Sequence, residues 1–520
     1  MKLFFVALVV PLIAMGAAPA RKPVIALMPP NASSPDLLKL GLLIEARASE
    51  ILEAAGKTHE FHLRQVLAMA RTENLRPETL SQPVTAELAR QAMGADKVVT
   101  TVLRSSPTGL VLEGFVVQAG KKTAFKAVLP GDWPAALVAG SEAIAKTLIG
   151  AKLRKAPVQP QSTSEAALVA LADCWAASLR QPLGVEEPVV ISAPELEQAI
   201  DACRRAVELD PTLHFGLATM ALLQAIAGDD RGAVTSLKGL DAADDLVESF
   251  TLARFWLLTR YQSNEAGVAY LRDAVAKHPA ELILLSTLGE DYASLHDDAG
   301  AVDAWTALLA VAPSSSIALG HLSQAEARIG KLEEALAHAK RALSFAPMSR
   351  EARLQLASRS LDLGRAGEAI ETLEPLASDR DARAEHLLKL GSAHWLNGGV
   401  EQAAEFFQAA VKRAERPDEW RTRGRAHYFL ALVETRRGNA TAARSAMTAS
   451  RETGLRIRNI DPALAALWDE DELRRPRGDA GTRPSLVPRE SSLFPVDPFG
   501  DVEPSREKPP PPEGLILFRF

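Results

Sequence analysis

The chain has 520 residues, too many for one hydrophobic core and enough for about three domains. Hydrophobic residues make up 47% and charged residues 24%, and aromatics, at 5%, are too sparse for an all-β fold and suit alanine- and leucine-rich helices. A net charge of −6, with no basic stripe interleaved with aromatics, sets nucleic acid aside as a partner.

The segment 1–20 reads as a signal peptide: Lys2 supplies the positive start, Leu3 to Met15 form an apolar run broken by Pro11, and Ala18-Pro19-Ala20 offers a small-residue cleavage site. The run is short for a bilayer span and Arg21-Lys22 follow it; an uncleaved anchor is the rival reading. No cysteine lies near the cleavage point, so no lipid attachment is expected there. No other stretch is apolar and long enough to cross a membrane, and the mature protein is expected to be exported, to the periplasm or envelope or beyond.

Residues 21–155 read as an α+β domain. Val24 to Met28 is a short apolar run ended by Pro29-Pro30, the pattern of a buried strand. Leu37 to Ala55 places Leu38, Leu42, Ala46, Ile51 and Leu52 at helical spacing, with Gly56 just past the end. His59 to Val66 alternates weakly and suggests a second strand; Ala86 to Met93 suggests a helix closed by Gly94. Three strands in succession, Lys97 to Arg104, Gly109 to Gln118 and Thr123 to Leu129, are separated by turn-like segments, and a helix from Trp133 to Ile149 closes the domain. The order implies helices against one face of a mixed sheet. The stretch from Gly94-Ala95-Asp96 through Val102, with the following Leu110 to Gln118 strand and the opening Val24 to Pro30, resembles the TolB amino-terminal domain and the related CsgG- and FlgO-like domains of bacterial envelopes. That resemblance implies a module that contacts other envelope proteins and carries no catalytic residues.

After a linker at 156–163, a 34-residue beat governs residues 164–452. Pro279, Pro313 and Pro347 keep the interval, as do Gly330, Gly364 and Gly398, and Ala301, Ala335, Ala369 and Ala403. Within one unit Leu285, Leu288, Gly289 and Tyr292 precede Ala301, Trp305 and Leu308; in another, Leu387, Leu390, Gly391 and His394 precede Ala403, Phe407 and Ala410. This pattern resembles the tetratricopeptide repeat, a helical hairpin that stacks into a solenoid, and implies about eight units in a mainly α protein. Small residues let paired helices approach, proline ends the second helix, and glycine supplies the positive φ of a tight stop. An insertion from Gln181 to Pro194 breaks the first unit and reads as a loop. Residues 453–475 suggest a capping helix, and 476–520, rich in proline and charge, a disordered tail ending in an apolar Leu515 to Phe520 segment that either docks on a partner or folds back on this protein.

Cys174 and Cys203 are the only cysteines; an even count in an exported chain permits one disulfide, and two buried unpaired thiols are the alternative. His59 and His62, three apart on one expected strand, would face opposite ways and share no metal ion. No metal, phosphate or nucleophile motif is present, so no catalytic residue and no cofactor is expected. The repeat register assigns a partner groove to Ile283, Glu290, Gln324, Arg328, Ser358, Leu388, Trp395, Tyr428 and Arg436, with Trp395 and Tyr428 as aromatic anchors. Repeat proteins that clamp a terminal carboxylate use lysine and asparagine where this chain has Glu290, Gln324 and Ser358. The expected function is a non-catalytic scaffold for other proteins or peptides of the cell envelope. The alternatives are an activator of a cell-wall or export enzyme that works through the amino-terminal domain and, more remotely, a hydrolase or small-ligand protein.

Overall fold

The computed structural model describes residues 21–73, 75–76, 79–107, 109–150, 162–179, 193–238, 240, 247–377, 382–414 and 419–455, with Leu464. The expected signal peptide, most of the linker, the Gln181 to Pro194 insertion apart from its last two residues, nearly all of the capping helix and the tail lie outside them.

The amino-terminal module runs β1 (Val24–Leu27), β2 (Asn31–Ala32), α1 (Pro35–Ala55), β3 (His59–Phe61), α2 (Leu63–Thr72), α3 (Pro83–Met93), β4 (Lys97–Ser106), β5 (Gly109–Gln118), β6 (Lys121–Leu129) and α4 (Trp133–Ile149). The sheet order is β3-β1-β4-β5-β6, with β2 against β4. β1 lies parallel to β3 and β4, while β5 and β6 continue antiparallel. Alternation along β1 explains the layering: Ile25 and Leu27 face α1 and α4, whereas Val24, Ala26 and Met28 face α2 and α3.

Two expectations need correction. Helices cover both faces of the sheet, not one. The expected strand His59 to Val66 ends at Phe61, and a helix begins at Leu63. His62 is the N-cap of that helix, with its N–H donating to Gln65 Oε1 at 3.1 Å. Val66, Met69 and Ala70 then bury one helical face.

Among the described residues sixteen further helices form eight antiparallel pairs. The first pair is α5 (Glu165–Ser178) and α6 (Ala193–Leu209), followed by α7 (His214–Ala227) and α8 (Asp230–Lys238), then α9 (Val247–Tyr261) and α10 (Asn264–Lys277). The fourth to sixth are α11 (Leu282–Ser294) with α12 (Asp298–Val311), α13 (Ser316–Arg328) with α14 (Leu332–Phe345), and α15 (Arg350–Asp362) with α16 (Ala366–Ala377). The last two are α17 (Ala384–Leu396) with α18 (Val400–Arg413) and α19 (Trp420–Arg436) with α20 (Ala440–Glu452). The beat has a backbone cause: Gly330, Gly364 and Gly398 sit at φ 84, 70 and 83°, each just past the first helix of its pair. Aromatic rings fill the gaps that small residues leave, as where a Cβ on Gly391 would stand 2.7 Å from the Phe407 ring.

Module and array share cores. One cluster joins Val24, Met28, Val66, Met69, Met93 and Val98 to Leu282, Leu285, Trp305, Leu308 and Leu322. Another joins the opposite sheet face, α1 and α4 to Ala167, Leu168 and Leu171 of α5. Continuous apolar burial of this kind makes one folded body of two segments that the sequence presents separately.

Candidate interaction surfaces

Helix α2 is the spine of the contact between module and array. Its buried Arg64 donates to Ser178 O at 2.6 Å and Ser178 Oγ at 2.9 Å, and lies 5.0 Å from the Trp175 ring centre. His62 Nε2 stands 2.9 Å from Glu281 Oε1, and Gln65 Nε2 donates to Ser286 Oγ at 3.1 Å. At its far end Glu73 accepts from Ser349 Oγ and from the Arg350 N–H, while Arg383 donates to Arg71 O. Lys39 of α1 pairs with Asp173 at 2.8 Å. Arg21 bridges Asp96 at 2.8 Å and Val311 O at 3.0 Å. The module thus touches the first, fourth, fifth, sixth and seventh repeats or the turns between them.

Gly94 shows how close the backbones come. Its φ is +71°, and a Cβ there would stand 2.2 Å from Ser315 N. Ser314 Oγ donates to Gly94 O at 3.3 Å. Only glycine meets both demands.

A cavity of about 200 Å³ opens where β3 and the end of α1 meet the turn from α10 to α11. His59, Glu60 and His62 of the module face His278 and Glu281 of the array, with Thr58, Ser49, Glu53 and Lys22 beside them. The expectation that His59 and His62 point apart along one strand is thereby corrected: His62 has left the strand, and both line the same space. Burial lowers the His59 pKa and Lys22 adds to the effect; burial raises half-buried Glu60 to about 7. Among the described residues no group of three or more histidine, cysteine or acidic side chains is gathered to hold a metal ion.

The nine positions assigned to a groove divide three ways. Ile283, Ser358, Leu388 and Tyr428 are buried. Gln324 and Trp395 are half-buried, and Glu290, Arg328 and Arg436 are exposed. The first helices of successive repeats pack side by side, α13 on α15, α15 on α17 and α17 on α19, so positions turned toward the next helix enter the core. Tyr428 therefore sits in the terminal core beside Phe429 and cannot anchor a peptide. Two of the nine meet at the edge of the terminal core: the exposed Arg436 guanidinium lies 5.2 Å from the ring centre of half-buried Trp395. Arg328 reaches back to Asp298 at 3.4 Å. Cys174 and Cys203, on α5 and α6, are joined by a disulfide.

Sequence reading missed the contact residues of α2, because a strand was expected there. The signal available was the spacing of Leu63, Val66, Leu67 and Ala70, helical and not alternating. Ser314, Ser315 and Ser349 also escaped notice; they belong to turns that the repeat pattern treats as spacers.

Fold and surface together define a helical-repeat protein with a sheet module built into the array. Residues 286–349 and 354–419 match the model of the tetratricopeptide repeat family, and these segments are tetratricopeptide repeats. The chain is also similar to a tetratricopeptide repeat protein from Parabacteroides merdae ATCC 43184, at 14% identity over 55% of this chain and 100% of that one, with a TM-score of 0.36. PilW, a type IV pilus biogenesis factor, gives 19% identity, 43% and 99% coverage and a TM-score of 0.34. Yeast Tom70 gives 14% identity, 56% and 61% coverage and a TM-score of 0.38. No curated protein matches the chain.

Proposed function

We propose that this protein is an exported, non-catalytic scaffold of the cell envelope, which assembles or stabilises a protein complex. Its sheet module is a fixed part of the array. The carrying observation is the eight-pair array itself, half of it matching tetratricopeptide repeats, which bind other proteins. Export is supported by the Lys2 to Ala20 pattern and by the Cys174–Cys203 disulfide, a bond kept in oxidising compartments. No helix of the described residues is long and apolar enough to cross a membrane.

Partner contact is assigned to the carboxy-terminal repeats, around Trp395 and Arg436. The module reaches no further than Arg383 at the start of the seventh repeat, at the opposite end of α17 from Trp395, and Tyr428 is buried. The test is crosslinking in cells followed by pull-down, comparing the native protein with a Trp395→Ala, Arg436→Ala variant. Loss of specific partners from the variant supports this surface. Retention of every partner removes it from consideration. The activator reading requires residues 22–150 to work alone, and the core shared with Leu282, Leu285 and Trp305 argues against that.

A further inference from the structure

The two edges of the sheet are treated differently. The β3 edge lies against α11 and the interdomain cavity, so the array covers it. At the other end β6 pairs with β5 over an unbroken register from Gln118↔Lys121 to Leu110↔Leu129, with no bulge and no proline. Among the described residues no strand pairs with its outer edge. Lys121 to Ala124, Lys126 and Val128 are exposed, Val128 to 64%. A strand of nine residues with one free side is a row of unmade backbone hydrogen bonds.

Charge decides what can pair there. Lys121, Lys122 and Lys126 all lie on β6, and Arg104 is exposed on the same sheet. The one acid in register, Glu113, is already paired with Lys126 at 2.6 Å. A second copy of β6, added antiparallel over its full length, would put Lys126 opposite Ala124 and diagonal to Lys122 and Lys126 of the other copy, and like charges gathered on one face of a ladder are unfavourable. Side chains alternate along the strand: Lys122, Ala124, Lys126 and Val128 share one face, while Phe125, Ala127 and Leu129 turn toward the α1 and α4 core. The complement is a strand with carboxylates on one face and apolar side chains on the other.

We propose that the free edge of β6 takes an extended acidic segment of a partner protein as an added strand, with the partner's carboxylates over Lys122 and Lys126. This rests on reading the protein as an interaction scaffold and gives it a second contact surface, remote in sequence from Trp395 and Arg436. Backbone pairing supplies affinity, and the lysines supply choice of partner and exclude self-association.

The test uses the full chain and a labelled peptide of alternating glutamate and valine, as long as β6, followed by fluorescence anisotropy. Saturable binding is expected, with added hydrogen-exchange protection on β6 amides. Lys121→Glu, Lys122→Glu and Lys126→Glu together should weaken it by about tenfold or more. The three side chains are exposed, so the variant should keep its native circular dichroism; Lys126→Glu sets like charge opposite Glu113, so a small drop in melting temperature is expected and binding is measured below it. A peptide with two adjacent residues, one glutamate and one valine, replaced by proline should fail to bind, since successive N–H groups point to opposite edges and one of the two must face β6. No saturable binding to the native chain overturns the proposal. So does equal affinity for the proline peptide, which would mean charge attraction alone, or a triple variant that binds as well as the native protein. Partners captured through Trp395 and Arg436 would survive any of these failures, so the two readings fail separately.

Discussion

Glu73 and Arg350 are 277 residues apart in sequence, yet the Glu73 carboxylate accepts the Arg350 backbone N–H at 2.9 Å and so caps the first turn of α15. Ser349, the N-cap of that helix, donates its hydroxyl to the other carboxylate oxygen. A helix start leaves N–H groups unsatisfied and carries partial positive charge, so a carboxylate placed there is stabilised. Glu73 is 2% exposed, which removes competition from water. The module thereby completes a helix of the sixth repeat.

Replacing this carboxylate should loosen the module from the array. Glu73→Ala leaves the buried Ser349 hydroxyl and the half-buried Arg350 N–H without this acceptor and should cost about 2 kcal/mol. The expected readout is a lower urea midpoint together with faster hydrogen exchange in α2 and the first turn of α15. A change confined to one of those segments would show that Glu73 does not link them.

Gly94 and Gly330 make a matched pair. Both have positive φ, but a Cβ on Gly330 meets nothing within 4 Å, whereas one on Gly94 meets the Ser314-Ser315 backbone. Gly330→Ala should cost about 1 kcal/mol, the strain of the left-handed conformation. Gly94→Ala adds overpacking against a backbone and should cost about 3 kcal/mol in all. Equal losses in urea denaturation would contradict the close approach.

Two acids should give the protein an inverse pH response. Burial holds the Glu45 carboxyl well above its ordinary value and raises Glu60 to about 7, and each has an oxygen without a hydrogen-bond partner in the described structure. The folded protein therefore keeps protons that the unfolded chain releases near its ordinary value of 4.5. Stability from these groups is greatest below that value and falls as pH rises, through about 7 for Glu60, with Glu45 contributing a fall of the same sign. Glu45→Gln retains an acceptor for Thr101 Oγ1, which stands 2.5 Å from Glu45 Oε1. Glu45→Gln and Glu60→Gln should match the native melting temperature in mild acid and exceed it in mild alkali. A native protein that gains stability across this window relative to the variants would reverse the assignment.

The disulfide closes a loop of sequence separation 29 around the insertion in the first repeat. Chain-entropy arguments give such a closure about 3.5 kcal/mol. Cys174→Ala with Cys203→Ala should lower the urea midpoint accordingly, and dithiothreitol should then have no further effect. Because α5 packs on α1, the loss should also appear as faster exchange in α1.

Much of the architecture was legible because it is local. The helix Trp133–Ile149 and the strands β4 and β5 follow from periodicity and from the turns between them. The repeat beat persists because each unit solves the same packing problem, a small residue under a ring and a glycine at positive φ. Helix α2 was hidden because its exposed-looking residues, His62, Arg64 and Gln65, are polar groups satisfied by the array. Polarity in sequence cannot distinguish a residue that meets water from one that meets a distant partner.

The positions assigned to a groove divide along the same line. Register nominated Trp395 and Arg436, which lie close together because both are on first helices of adjacent repeats. It also nominated Ile283, Ser358, Leu388 and Tyr428, which the side-by-side packing of those helices buries. By itself the sequence determined a helical-repeat array and a neighbouring sheet, since periodic burial within some tens of residues suffices for both. Only the tertiary structure decided that the array seals one sheet edge, that among the described residues no strand pairs with the outer edge of β6, and that the array takes a helix cap from Glu73. Those outcomes depend on which surfaces meet across hundreds of residues, and no local pattern encodes such a meeting.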